Sequence, residues 1–144
     1  MAAAAQVVTL PDVAVELNQD VEVHTVLAYE VVTEPVAHVG DTEAKVRAYF
    51  EDEPIMIKVA YCESRFVHVN PETGEVMRGW MNPSDVGVMQ INQYYHNDTA
   101  KAMNLDLLDF EDNLAYARNL YEREGTRPWN ASRPCWQSAT LAMR

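Results

Sequence analysis

The chain has 144 residues, 48% of them hydrophobic, and a formal net charge of −11. That apolar share argues against a fully disordered chain, and the acidic balance argues against non-specific nucleic-acid binding, which needs basic surface to displace counterions. No apolar run approaches the ~20 residues of a membrane span, and two cysteines without a CxxC or HExxH pattern offer no zinc site.

The charge is unevenly placed. Residues 1–53 carry 11 acidic side chains against only Lys45 and Arg47, whereas residues 54–144 carry 11 acidic and nine basic ones. Such an asymmetry separates an appendage from a domain. We therefore expect an acidic, Val-rich N-terminal arm or spacer over residues 1–41 and one folded domain over residues 42–144. Met1–Ala5 lack the basic flank and longer apolar stretch of a secretory signal. They read as an ordinary cytosolic start or as a chain beginning near a removed signal. Val13, Val15, Leu17, Val21 and Val23 alternate with polar or small residues, as a half-buried strand would. The segment is too short for a core of its own. It reads as an arm packed on the domain or as a spacer from a membrane anchor outside this chain.

From Asp41 the texture changes. Asp41 or Thr42 can cap a helix carrying Ala44, Val46, Tyr49 and Phe50. A second helix is predicted from Pro54, where a missing N–H costs nothing, through the run IMIKVAYCESRF. Residues 67–80 read as a hairpin turning at Pro71–Gly74, followed by the short apolar stretch DVGVMQIN. Residues 93–103 are expected to be helical. Asp109 and Asp112 resemble a capping box that opens a helix ending at Gly125. The tail PWNASRPCW reads as an aromatic loop. Helices, a small β element and helices again make an α+β arrangement.

The second helix carries the chemistry. Met56, Val59, Ala60 and Phe66 share one stripe at helical spacing, and Glu63 falls on the same face. A carboxyl partly withdrawn from water holds its proton to higher pH, as a general acid requires. The competing reading is a glutamate at a fraying helix end, pointing to solvent.

Glu63-Ser64-Arg65-Phe66, the stretch Gly87-Val88-Met89-Gln90-Ile91-Asn92, and Asn113-Leu114 with Ala117 together resemble the lysozyme-like superfamily, in particular the soluble lytic transglycosylase (SLT) domain. The first matches that family's E-S-x-F, the second its G-x-M-Q-I-N, and the third its N-I-x-x-G/A helix. The resemblance spans about residues 42–136. It implies a lysozyme-like α+β fold, mainly helical, with a small β-hairpin subdomain beside a cleft. It also implies cleavage of the β-1,4 bond between N-acetylmuramic acid and N-acetylglucosamine, with Glu63 as acid/base and a 1,6-anhydro-muramyl product, without a cofactor or metal. Glycan strands of peptidoglycan would be the partner of an exported, monomeric enzyme.

The same resemblance implies glycan-facing roles for several residues. Ser64 and Gln90 would line the cleft, Met89 would form an apolar floor, and Asn92 and Asn113 would meet sugar polar groups. For Gln90 and Asn92 local backbone bonding is the alternative, and for Asn113 helix capping. Tyr116 is the candidate cleft tyrosine, because the Leu120-Tyr121 order departs from the family's Tyr-Leu pair. Ser84–Asn92 also resembles the segment of animal-type lysozymes that carries their second carboxylate. Asp85 is thus either that group, making a hydrolytic muramidase with Glu63, or a turn residue. A Cys before the catalytic Glu and a C-terminal Cys-Trp look like a disulfide between Cys62 and Cys135, with two buried thiols as the alternative. Trp80 is the preferred aromatic for stacking on sugar, and Trp136 is expected in the core. His24, His38, His68 and His96 show no metal spacing and read as surface or structural. A non-catalytic glycan-binding protein on the same fold is the alternative from another class.

Overall fold

A computed structural model describes residues 39–140 of the chain; the alternating valines, His24 and His38 of the acidic segment lie outside the described residues. The elements are α1 (Val39–Tyr49), α2 (Pro54–Ser64), β1 (Asp85–Val86), β2 (Ile91–Asn92), α3 (Gln93–Ala102), α4 (Phe110–Glu124), a 3-10 helix (Arg127–Ser132) and α5 (Arg133–Ser138). Helices with one small antiparallel sheet make the described part an α+β structure.

Local chemistry accounts for most boundaries. Pro54 opens α2 at a position where no N–H is needed. Asp109 caps α4, its Oδ1 accepting from the Asp112 N–H at 3.0 Å, and Gly125 ends it at a φ of 62°. The reciprocal half of the expected capping box is absent: Asp112 Oδ2 accepts from the Asp106 N–H instead, at 2.8 Å.

Two expectations need correction. Helix α1 begins at Val39, so Asp41 and Thr42 lie in its first turn rather than before it. Thr42, Val46 and Phe50 take the buried stripe, and Ala44 faces solvent. The tail is not a loop. It forms the 3-10 helix and α5, and Pro128 and Pro134 stand at the openings of these two helices, where proline is pre-set for helical φ. Their presence signals helix starts as much as breaks.

The β region is a ragged meander. Val69 and Val76 bridge across the Asn70–Gly74 turn, as the sequence suggests, but as an isolated bridge and not as paired strands. Arg78 then bridges Val86, and β1 pairs with β2 in the register Asp85–Asn92 and Val86–Ile91. Within the GVMQIN stretch, only the last two residues are strand. Gly87–Gln90 form the tight turn between β1 and β2, closed by the Gln90 N–H on the Gly87 carbonyl at 3.1 Å.

The core joins α1, α2, α4, this turn and the tail. Val46 and Phe50 meet Met56, Val59 and Ala60, with Leu114, Tyr116 and Leu120 from α4 and Trp129 and Trp136 from the C-terminal helices. Arg118 grips Asp52 through its two terminal guanidinium nitrogens, at 2.8 and 3.0 Å, fixing α4 to the α1–α2 connection. Cys62 and Cys135 form a disulfide, 73 residues apart in sequence. Closing so long a loop typically stabilises by ~2–5 kcal/mol.

Candidate active site

The turn at Gly87–Gln90 is plugged into the core, and its backbone must find partners there. Val88 and Met89 are fully buried. Four side chains from four segments satisfy the peptide groups around them. Ser64 Oγ donates to the Val88 carbonyl at 2.8 Å, and His68 Nδ1 accepts from the Val88 N–H at 3.2 Å. Asn113 Oδ1 accepts from the Met89 N–H at 3.0 Å, while its Nδ2 donates to the carbonyls of Val86 and Leu107 at 3.1 and 2.9 Å. Trp129 Nε1 donates to the Met89 carbonyl at 2.9 Å. Because His68 accepts at Nδ1, its proton sits on Nε2 and is given to the Leu108 carbonyl at 2.9 Å. Burial also pushes the His68 pKa down, which keeps that ring neutral. Gly87 has a φ of 74°, and a Cβ there would stand 2.5 Å from Asn113 Nδ2, so no other residue fits without moving the asparagine.

This frame holds one wall of a cleft of about 440 Å³. Asn82, Asp85, Gln90 and Asn92 line it from the β region. Tyr95 and His96 come from α3, Leu120 and Glu124 from α4, and Arg127, Pro128, Trp129 and Ala131 from the 3-10 helix. Glu63 enters from the last turn of α2. That helix ends one residue later in a left-handed turn, with Arg65 at φ 57° and Phe66 at φ 63°. The turn swings Phe66 back into the core and leaves Glu63 half-buried against the cleft.

Glu63 holds its proton above the ordinary glutamate range. Burial is the main cause, the nearby negative charge of Asp85 adds to it, and a hydrogen bond from Ser132 opposes it. The partial negative charge at the C-terminal end of α2 acts in the same direction as burial. Ser132 Oγ lies 2.5 Å from Glu63 Oε1 and 3.1 Å from the Trp129 carbonyl oxygen. Asp85 Oδ1 accepts from Asn92 Nδ2 at 2.6 Å and from Asn82 Nδ2 at 3.3 Å. A third cleft carboxylate is tuned the opposite way. Glu124 accepts a hydrogen bond from Arg127 at 2.5 Å, which pulls its pKa down. His96, held through Nδ1 by the Tyr116 hydroxyl at 3.0 Å, has its pKa lowered by burial. The cleft thus offers a proton-holding carboxyl and an ionised one, the division that acid–base chemistry uses.

Of the residues singled out in the sequence, Glu63, Asp85, Gln90 and Asn92 meet in the cleft. Gln90 also donates to the Gly87 carbonyl at 2.9 Å, and Asn92 caps α3 by accepting from the Tyr95 N–H. Ser64, Met89, Asn113 and Tyr116 are buried and do not line the cleft: the first three build the turn, and Tyr116 backs His96. Met89 does not form the expected floor; Trp129 lies on the cleft wall while its Nε1 donates to the Met89 carbonyl. Trp80 is 93% exposed on the loop before Asn82 and is not on the cleft wall. Sequence reasoning passed over Ser132, Tyr95, Glu124 and Arg127, and His96, read as surface or structural, lines the cleft. Glu124 and Arg127 stand on either side of the helix end at Gly125, so helical spacing did not mark their ion pair.

Among the described residues no group of three or more His, Cys, Asp or Glu is arranged to hold a metal ion, and no helix is long and apolar enough to cross a membrane. Comparison with protein-family models, curated proteins and solved structures finds no match to the chain.

Proposed function

We propose that this chain is a lytic transglycosylase of the lysozyme-like kind, cleaving the β-1,4 bond between N-acetylmuramic acid and N-acetylglucosamine in peptidoglycan. The observation that carries the reading is Glu63: a half-buried carboxyl on the wall of an open polar cleft, with its pKa raised chiefly by burial. Glycoside cleavage needs a proton on the leaving oxygen and tolerance of positive character at the sugar carbon. Protonated Glu63 gives its hydrogen to the bridging oxygen. As a carboxylate it then takes the proton of the muramyl C6 hydroxyl while that oxygen closes on C1. The 1,6-anhydro ring forms, Glu63 regains its proton, and no cofactor is consumed. The side chains of Gln90, Asn92 and Asn82 supply amide groups suited to sugar hydroxyls and acetamides. The Cys62–Cys135 disulfide supports an exported protein working outside the cytoplasm, where such bonds persist.

A second reading rests on Asp85, which lines the same cleft and raises the Glu63 pKa. With Asp85 as partner carboxylate the enzyme would be a hydrolytic muramidase. The two amide hydrogen bonds that engage Asp85 Oδ1 favour a turn role and hence the one-carboxylate mechanism. Mass spectrometry of the products from purified peptidoglycan separates the readings. Anhydro-muramyl ends support the transglycosylase and reducing ends the muramidase. Glycan binding without cleavage overturns both in favour of a binding protein.

A further inference from the structure

Ser132 stands between two acceptors with a single hydrogen to give. Its Oγ is 2.5 Å from Glu63 Oε1 and 3.1 Å from the Trp129 carbonyl oxygen. A hydroxyl can donate to only one of them at a time. When Glu63 is protonated the two acceptors are both neutral oxygens and compete on similar terms. When Glu63 is ionised the bond to it becomes charge-assisted, roughly twice as strong as a neutral one, and the hydroxyl turns to the carboxylate.

We propose that Ser132 is the positioning residue of Glu63, a hydroxyl that occupies Oε1, so that the proton for the substrate is carried on Oε2, and that strengthens its bond as that proton leaves. This deepens the acid/base reading of Glu63 and rests on it. The bond is strongest where negative charge develops on the carboxylate, so it favours the transition state over the resting enzyme. No covalent bond forms at Ser132: the Glu63 proton goes to the bridging oxygen, and the serine hydrogen only changes direction.

The surrounding chain holds this geometry. Cys62 adjoins Glu63 and Cys135 follows Ser132 by three residues, so the disulfide fastens the donor segment to the helix that carries the acid. Trp129, three residues before Ser132, is fixed by its indole on the Met89 carbonyl, and its own carbonyl also accepts from Trp136 Nε1 at 3.0 Å. The second acceptor is thereby as firmly placed as the first. The other titratable groups on the cleft are Asp85 from β1, Tyr95 and His96 from α3, Glu124 from α4 and Arg127 from the 3-10 helix. Only Ser132 hydrogen-bonds Glu63 among the described residues.

The test compares wild type with Ser132→Ala and Ser132→Thr in the full chain. Cleavage of peptidoglycan is followed from pH 4 to 9, and the Glu63 carboxyl is titrated by carbon NMR. Removing the donor takes support from the ionised form, so the Glu63 pKa rises further in Ser132→Ala. The alkaline limb of the rate profile moves to higher pH with it. At the plateau kcat falls about tenfold to a hundredfold, the loss expected for a hydrogen bond to a charged group. Ser132→Thr, which keeps the hydroxyl, restores both. An unmoved Glu63 titration in Ser132→Ala overturns the proposal, as does a threonine variant no better than the alanine one. If the carboxyl titration shifts as expected in a protein that cleaves no glycan, the acid/base reading of the cleft fails while the Ser132–Glu63 linkage stands.

Discussion

The turn at Gly87–Gln90 and the cleft beside it share one short stretch of chain, yet they treat polar atoms in opposite ways. In the turn the N–H and C=O groups of buried Val88 and Met89 all have partners, drawn from Ser64, His68, Asn113 and Trp129, and the Gly87 N–H donates to the Met77 carbonyl. In the cleft Glu63 is half withdrawn from water with one donor among the described residues, and that donor is shared. A satisfied network holds shape, whereas an under-satisfied carboxyl stores reactivity. The residues of the three stretches singled out in the sequence divide along this line. Glu63, Gln90 and Asn92 line the cleft, and Ser64, Met89 and Asn113 hold its wall in place.

The contrast can be broken at either side. The largest effect is expected at Glu63. Glu63→Gln should lower peptidoglycan cleavage by about three orders of magnitude, within the range general acid–base catalysis supplies, while glycan binding persists. Turnover near wild type would end its role. The same variant has a stability signature. A carboxyl whose folded pKa is raised keeps its contribution below the unfolded pKa and loses it as pH rises through the folded one. Glu63→Gln should therefore match wild type in acid and become the more stable protein above the folded pKa, as denaturant melts at several pH values would read.

Asn113→Ala attacks the other side. It strands the Met89 N–H and takes one partner each from the Val86 and Leu107 carbonyls, and should cost about 3 kcal/mol in urea unfolding. Activity should fall with the wall, but the pH profile of the residual rate should keep its shape. Replacing both cysteines by serine should remove ~2–5 kcal/mol, read as a lowered Tm, and loosen the Ser132 contact with Glu63. The smallest effect is expected at Asp85. Asp85→Asn should change the cleavage rate by less than about tenfold in a one-carboxylate mechanism, whereas a drop of several orders of magnitude would make it the second catalytic carboxylate.

Much of the frame could be read in advance. Pro54, Asp109 and Gly125 mark helix ends by backbone chemistry that does not depend on tertiary context, and the α2 stripe placed Glu63 on the inward face. Periodicity says which face turns inward, but not whether that face meets a cavity or a peptide group. Ser64, Asn113 and Tyr116, expected at the cleft from the family resemblance, lie buried behind its wall. The tail was missed for another reason. Pro128 and Pro134 are each pre-set for a first helical turn, a signal that the loop reading of PWNASRPCW did not use, and Ser132 lies in that segment. Contacts such as Ser132–Glu63, 69 residues apart, leave no local trace in the chain.

All the residues that line the cleft, from Glu63 to Ala131, lie between the two bridged cysteines. The groove is thus enclosed in one covalent ring. A protease that clipped the exposed Asn70–Gly74 turn would yield two fragments still joined through sulfur, with acid and opposing wall on the same molecule. A nicked backbone at that turn would therefore leave the groove in one piece.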